Sequence, residues 1–340
     1  MKYLYVLTSS EKDDYYEQFL MSLASLRIVM PDANVILLCD AKTKSTLTGK
    51  REAYQKIISQ TLTVETPPDL SQTEISRWLK TSMRRLVPGD FLYIDCDTII
   101  AEDLSSITET GIKFGVCLDK HSLIDRHGKK NSIIENDKKL GFTSYLSNKH
   151  FNGGILYCPD NPETHTIFER WHELWLFCKS KNISRDMPSL NMAIYENPSF
   201  CTELDGIWNC QVAYNSLPFL ANSKIIHYFA SDLVMRTSPF LLASDNIFKQ
   251  IKETGAIPDD VFALLKNPRA AFESESRIIA GEDTLSVMNS SLFELLYWLR
   301  VKIPGLFYFL NRIGYICKKT GKYFLVKISR KKDGGIKHYN

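Results

Sequence analysis

Strand-like and helix-like segments alternate through the first hundred residues. Tyr3–Leu7 is a short apolar run that ends in Thr8-Ser9-Ser10. In the next stretch Tyr16, Phe19, Leu20, Leu23 and Leu26 recur at spacings of three and four, which predicts a helix. Pro31-Asp32-Ala33-Asn34 stops that helix, and Val35–Cys39 reads as a second buried strand ending at Asp40. Ile75–Leu86 reads as another helix, closed by Val87-Pro88-Gly89-Asp90. Phe91-Leu92-Tyr93-Ile94 is then a third strand running straight into Asp95-Cys96-Asp97. This order implies an α/β domain with a parallel sheet and helices on both faces. Ligands of such sheets collect beyond the carboxyl ends of the strands. Thr8, Asp40 and the Asp95/Asp97 pair all fall at such ends.

Further along, Lys113–Leu118, Gly154–Tyr157, Phe200–Leu204 and Lys224–Tyr228 read as additional strands, and Ile167–Phe177 as an aromatic-rich helix. Ile247–Lys266 reads as helical, interrupted by Gly255 and Pro258. No internal repeat is visible. The expected division is a catalytic domain over 1–240, a helical extension over 241–285 and a basic, aromatic tail over 286–340.

Asp95 and Asp97 are two residues apart. If the backbone stays extended through Cys96, both carboxylates point to one face of the sheet. Acids held that close repel unless a proton or a cation lies between them. Mg²⁺ or Mn²⁺ suits the position, because such ions take few protein oxygens and complete their shell with substrate phosphates. The plainer alternative is a pair of turn acids capping the next segment.

The segments around this pair resemble the GT-A-fold glycosyltransferases, closest to the retaining LgtC/glycogenin-like group, glycosyltransferase family 8. Ser76-Arg77-Trp78-Leu79 followed by Leu86–Thr98 is similar to that family's helix Arg, "LP" turn and "YLDxD" strand. Phe151-Asn152-Gly153-Gly154-Ile155 resembles its "FNxG" segment, and Arg185–Asn191 its "DQxxLN" segment. Leu204–Asn209 resembles "LxxxWN", and Ile225-Ile226-His227-Tyr228 the strand ending in a metal-binding His. The resemblance covers roughly residues 1–230. It implies a Rossmann-like nucleotide-diphospho-sugar transferase fold, a mixed, mostly parallel sheet flanked by helices with a C-terminal helical extension. It also implies a divergent bacterial member of the group.

On this resemblance Asp95, Asp97 and His227 bind Mn²⁺, or Mg²⁺ in its place, and the ion stabilises the leaving nucleoside diphosphate. Arg77 contacts the donor sugar or diphosphate, and Thr8 lies where uracil is expected. Asn152 offers its amide to sugar hydroxyls, while Gly153 and Gly154 permit close backbone approach to the donor. Asp186 accepts hydrogen bonds from the transferred sugar, so Asp186 and Asn152 are the catalytic candidates. The implied reaction moves a sugar from a nucleoside diphosphate, chiefly UDP, to a saccharide or lipid-linked saccharide with retention, in cell-surface polysaccharide synthesis.

Two departures stand out. Where the family has Gln after the Asp, this chain has Met187. Where it continues "HxxGxxK", this chain has Ala230 and Leu233, with Arg236 as a substitute cation. Phe91–Thr98 also fits the "hhhhDxDxT" motif of haloacid-dehalogenase-like phosphohydrolases, with the first Asp as nucleophile. That motif usually ends a domain's first strand, whereas two strands precede it here. A non-catalytic sugar-nucleotide-binding module is the third reading.

The net charge of +3 conceals an asymmetry. Ser291–Asn340 carries 11 Lys/Arg against 2 acids, a local +9, and 10 of the chain's 39 Phe, Tyr and Trp residues; the preceding 290 residues hold 31 basic and 37 acidic side chains, a charge of −6. Bulky apolar groups interleaved with Lys and Arg predict an interfacial tail that binds an anionic membrane surface. A helix packed on the domain with a solvated basic end is the plainer alternative. The overall charge is too mild for a dedicated nucleic-acid binder, so no nucleic-acid partner is expected. No apolar run reaches the ~18 residues of a membrane span, and the N-terminus reads as a strand rather than a signal peptide. Eight scattered cysteines without a CxxC pair read as reduced thiols. The expected location is cytoplasmic, peripheral on the inner face of the cell membrane.

Overall fold

The structure is a computed structural model of the 340-residue chain, and it describes residues 1–212, 215–229, 240–272, 287–288 and 290–317. The strands are β1 (Lys2–Leu7), β2 (Asn34–Asp40), β3 (Gln60–Val64), β4 (Phe91–Ile94), β5 (Thr98–Ile100), β6 (Gly115–Leu118), β7 (Phe151–Cys158), β8 (Thr202–Glu203), β9 (Cys210–Gln211) and β10 (Ile225–His227). The first unit's helices are α1 (Tyr15–Val29), α2 (Ala41–Thr46), α3 (Gln72–Leu86), α4 (Lys130–Leu140), α5 (Pro162–Ser180), α6 (Met187–Glu196), α7 (Leu217–Leu220), α8 (Asp245–Thr254) and α9 (Asp259–Leu265).

Seven strands form one sheet in the order β3-β2-β1-β4-β7-β6-β8. β3, β2, β1 and β4 run parallel, β7 is antiparallel to both β4 and β6, and β8 is parallel to β6. This is the mixed, mostly parallel sheet flanked by helices that the resemblance implies. A second sheet of three strands, β5-β10-β9, stands beside it.

The apolar strands read as continuous runs because both of their faces are buried. Tyr3, Tyr5 and Leu7 of β1, Val35 and Leu37 of β2, and Leu92 and Ile94 of β4 join one core with Phe19 and Leu23 of α1. The intervening Leu4, Val6, Ile36, Leu38, Phe91 and Tyr93 join the other core with Leu79 and Met83 of α3 and Trp171 of α5. Each fully buried side chain of this size contributes ~1.5–3 kcal/mol. Phe248, Ile251, Val261 and Leu265 of α8 and α9 belong to the first core.

α3 starts with a capping box in which Ser71 and Glu74 satisfy each other's backbone N–H groups. Asn161 caps α5, accepting from Thr164 N at 2.7 Å, with Pro162 at its first turn. These caps fix where the helices of the second core begin, and thereby where Arg77 and Lys80 stand.

The chain does not stay extended through Cys96. β4 ends at Ile94 and β5 begins at Thr98, so residues 95–97 form a bend that carries the backbone from the large sheet into the small one. Asp95 N donates to Gly154 O at 2.8 Å on one side, and Tyr228 N donates to Asp97 O at 3.1 Å on the other. The acids are neighbours because a bend between two sheets gathers them, and the pleat of one strand plays no part.

The chain divides into two compact units, Met1–Ser286 and Val287–Asn340. The second unit contains a helix over Ser291–Lys302, capped by Ser290, and another over 304–317. Pro304 separates them, since its ring cannot continue the first helix. Leu292, Leu295, Trp298, Val301, Tyr308 and Phe309 on these helices are exposed. No helix among the described residues is long and apolar enough to cross a membrane. All eight cysteines are free thiols.

Candidate active site

β10 pairs with β5 so that His227 lies opposite Thr98, the residue following the acidic bend. This register brings one ligand atom each of Asp95, Asp97 and His227 within 4.8 Å of one another. His227 Nε2 lies 3.3 Å from Asp97 Oδ1. Burial alone would lower the pKa of the 2 % exposed imidazole, but the adjacent Asp97 outweighs it and raises the value. Two carboxylates and an imidazole at this spacing fit a divalent ion such as Mn²⁺ or Mg²⁺.

Asp95 and Asp97 line a cleft of about 520 Å³ that also touches Thr8, Asp13, Tyr15, Gln72 and Arg77. Thr8 is 8 % exposed, and its Oγ1 has no hydrogen-bond partner among the described residues. A buried hydroxyl without a partner costs free energy, so a polar ligand there would relieve it. Asp13 anchors the loop beside it, accepting from Ser9 Oγ at 2.7 Å and from Ser10 N and Oγ at 2.8 Å each. Burial raises the Asp13 pKa, but these hydrogen bonds outweigh it and hold it below the usual carboxylate value.

Asp186 sits at the start of α6. Its carbonyl accepts from the buried Trp171 Nε1 at 3.0 Å and from Ser189 Oγ at 2.8 Å, which fix its backbone. Its carboxylate pairs with Arg77 Nε at 3.1 Å and Lys80 Nζ at 3.4 Å. Burial pushes the Asp186 pKa up, yet Lys80 and Arg77 prevail and lower it, so the group is ionised.

Lys80 was not among the sequence-predicted residues. Its Nζ stands 3.4 Å from Asp95 Oδ1 as well as 3.4 Å from Asp186 Oδ2, over the ring of Tyr93, whose hydroxyl also donates to Asp95 Oδ1. It is 6 % exposed. The available signal was spacing: Arg77, Lys80 and Arg84 follow at i, i+3 and i+7, one face of α3.

The Phe151–Gly154 segment is packed among the protein's own side chains. Asn152 is 3 % exposed, and both ends of its amide are engaged inside the protein. Its Nδ2 donates to Asp119 Oδ1 at 2.9 Å, and its Oδ1 accepts from Gly154 N at 2.9 Å and Asn209 Nδ2 at 3.0 Å. In this structure the amide that was expected to meet sugar hydroxyls is engaged by these internal partners. Gly153 and Gly154 are buried too. A Cβ on Gly154 would meet the His227 ring, and one on Gly153 would touch Leu190 and Lys80. The close approach these glycines permit is that of site side chains.

His127 and His150 are buried around Asp119. His127 Nε2 lies 3.0 Å from Asp119 Oδ2, and the two imidazoles stand edge to face. Burial raises the Asp119 pKa, but its surroundings, first among them the hydrogen bond with His127, overcome it and take the value well below the usual range. His121 accepts from Gln211 N at 3.0 Å. Met187 opens α6 and is half-buried. Ala230, Leu233 and Arg236 lie outside the described residues.

No curated protein sequence matches this chain. Solved structures similar to it include the galactosyltransferase LgtC in complex with donor and acceptor sugar analogs, at 14 % identity. That match covers 76 % of this chain and 98 % of the other, with a TM-score of 0.49. Mouse xyloside xylosyltransferase 1, in its apo form, is similar at 12 % identity over 67 % of this chain and 97 % of the other, with a TM-score of 0.46. The sequence model described as Glycosyl transferase family 8 matches residues 9–232, a span that holds the bend acids, Lys80, Asp186 and His227. With that match over most of its length, the chain belongs to glycosyl transferase family 8, and it is a glycosyltransferase.

Proposed function

We propose that this glycosyltransferase transfers a sugar from a nucleoside diphosphate, with uridine as the base, to a saccharide or lipid-linked saccharide, with retention of configuration. The observation that carries the reading is the convergence of Asp95, Asp97 and His227, with both acids lining a cleft that the orphan hydroxyl of Thr8 also borders. Asp95, Asp97 and His227 would hold Mn²⁺ or Mg²⁺ together with the donor diphosphate. When bound, the ion supplies Lewis-acid stabilisation of the departing diphosphate.

The protein groups divide the remaining work. Thr8 receives the base. Arg77, one-third exposed, already stands between the cleft and Asp186 and is placed to meet donor oxygens. Asp186, ionised and fixed from both sides, accepts hydrogen bonds from hydroxyls of the transferred sugar. Lys80 holds Asp95 and the buried Asp186 in one arrangement by pairing with both carboxylates. Met187 takes the position of the family's Gln and offers no hydrogen bond, so polar contacts at the reacting carbon fall to Asp186 and its cations.

The second unit supports a peripheral attachment to the cytoplasmic face of an anionic membrane. Its exposed aromatic and aliphatic side chains are interleaved with Arg300, Lys302 and Arg312. An enzyme held there would meet lipid-linked acceptors of cell-surface polysaccharide synthesis. The basic positions beyond 317, including Lys318, Lys319, Lys322 and Lys327, lie outside the described residues.

The test is a thermal-shift and product screen of sugar nucleotides with and without Mn²⁺. Mn²⁺-dependent stabilisation by a UDP-sugar, and release of UDP on turnover, are expected. Neither should survive Asp95→Asn/Asp97→Asn. A parent protein that ignores Mn²⁺ in both assays overturns the reading.

A further inference from the structure

The "WN" segment of this chain ends in Asn209, which has no role in donor or metal binding as proposed above. It is fully buried and touches His227: His227 Nδ1 and Asn209 Oδ1 are 2.9 Å apart. Asn209 Nδ2 in turn donates to Asn152 Oδ1 at 3.0 Å, and Asn152 Nδ2 donates to Asp119 Oδ1 at 2.9 Å. Asp119 Oδ2 meets His127 Nε2 at 3.0 Å, and His127 Nδ1 accepts from Lys129 N at 3.0 Å. Five side chains thus form one file, each no more than 6 % exposed.

Two backbone N–H groups set the polarity of that file. The Gly154 N–H donates to Asn152 Oδ1 at 2.9 Å, so this amide cannot turn round without facing donor to donor. With Asn152 Oδ1 pinned, Asn209 must present Nδ2 to it and therefore Oδ1 to His227. An acceptor at that position requires hydrogen on His227 Nδ1, which in the neutral, metal-ligating ring leaves the lone pair on Nε2. Nε2 is the nitrogen facing Asp97. At the far end the Lys129 N–H forces the hydrogen of His127 onto Nε2, where it donates to Asp119. Asp119, accepting at both oxygens, completes the order.

We infer that Asn209 is the positioning residue of the metal-ligating histidine. It fixes the tautomer and ring angle of His227, with Asn152, Asp119 and His127 holding it in register. This rests on the reading of Asp95, Asp97 and His227 as the cation site. Partners of this kind on a ligating histidine change metal affinity by ~10–100-fold when lost.

The tautomer is measured without metal, by long-range ¹H–¹⁵N correlation spectra of the ¹⁵N-histidine-labelled full chain, with His227 assigned by its disappearance in His227→Gln. Hydrogen on Nδ1 of His227 and on Nε2 of His127 is expected. Mn²⁺ titration followed by electron paramagnetic resonance then compares the parent with Asn209→Leu, which removes the acceptor, and Asn209→Asp, which keeps one. Asn209→Leu should bind Mn²⁺ about 10–100-fold more weakly, with Asn209→Asp recovering the Nδ1–H tautomer and part of the affinity. A His227 ring without hydrogen on Nδ1 in the parent overturns the inference even if Asn209→Leu fails to fold. So does Asn209→Leu binding Mn²⁺ as tightly as the parent. A parent with the expected tautomer and no Mn²⁺ affinity refutes the cation site instead.

Discussion

Gly154 has no Cβ where one would collide with the imidazole of His227, standing 2.9 Å from Nδ1. Backbone conformation does not demand glycine there, since Gly154 lies in extended β7. The demand comes from the ring. Gly154→Ala should therefore displace His227 and weaken Mn²⁺ binding at least tenfold, as loss of ligand orientation does in other metal sites. Gly153→Ala is the control. Its Cβ would lie 3.4 Å from a Leu190 methyl and 3.5 Å from Lys80 Nζ, both movable ends. Isothermal titration with Mn²⁺ distinguishes the two, and equal affinities would remove His227 from the site.

Lys80 gives a kinetic prediction. It is the cation shared by Asp95 and Asp186. Lys80→Met retains length and removes charge, leaving the partly exposed Asp95 and the buried Asp186 without their common partner. A hydrogen bond to a charged group is worth about 1.5–3 kcal/mol, so kcat/KM should fall about 10–150-fold. Lys80→Arg should recover part of it. A variant with unchanged kcat/KM would reduce Lys80 to a packing residue.

What the sequence revealed and what it concealed have physical reasons. β4 was legible because its four residues fill two cores at once and leave no polar alternation. β3 was not, since Gln60-Thr61-Leu62-Thr63-Val64 lies at the sheet's edge with every position at least partly exposed. The acids were legible as a pair, but their geometry was not, because a bend into a second sheet is set by pairing with β10, more than a hundred residues away. Lys80 was hidden because a Lys on a helix ordinarily marks a solvated face. The histidines around Asp119 were hidden because burial of a loop depends on its tertiary neighbours.

Those histidines predict the acid limit of stability. Burial lowers the His150 pKa to about 4, with Asp119 opposing, and the His121 pKa to about 4, with Asp119 and Asp205 opposing. The ordinary value is 6.5. Between pH 6.5 and 4 the unfolded chain therefore binds protons that the native protein refuses, and stability falls as pH falls through that window. The loss is on the order of 2–3 kcal/mol per ring at full burial. Urea unfolding of the parent and His150→Gln at pH 7.5, 6 and 5 should show a shallower decline in the variant. Parallel declines would mean that His150 is charged in the native protein.

The second unit yields the last prediction. Trp298 and Phe309 are 41 % and 60 % exposed on helices that also carry Arg300, Lys302 and Arg312. If these helices lie on an anionic surface, the apolar groups enter the headgroup layer while the cations remain outside it, each adding about 1 kcal/mol. Trp298→Glu/Phe309→Glu places two acids in that layer and removes two large apolar groups, so co-sedimentation with phosphatidylglycerol vesicles should fall at least tenfold. UDP release from the donor in water should stay at the parental rate, because neither residue belongs to the cleft. Raising salt should weaken the parent's binding without abolishing it, since screening removes the charge contribution but leaves the burial of apolar groups. Undiminished pelleting of the double variant would assign these exposed side chains to a protein partner instead.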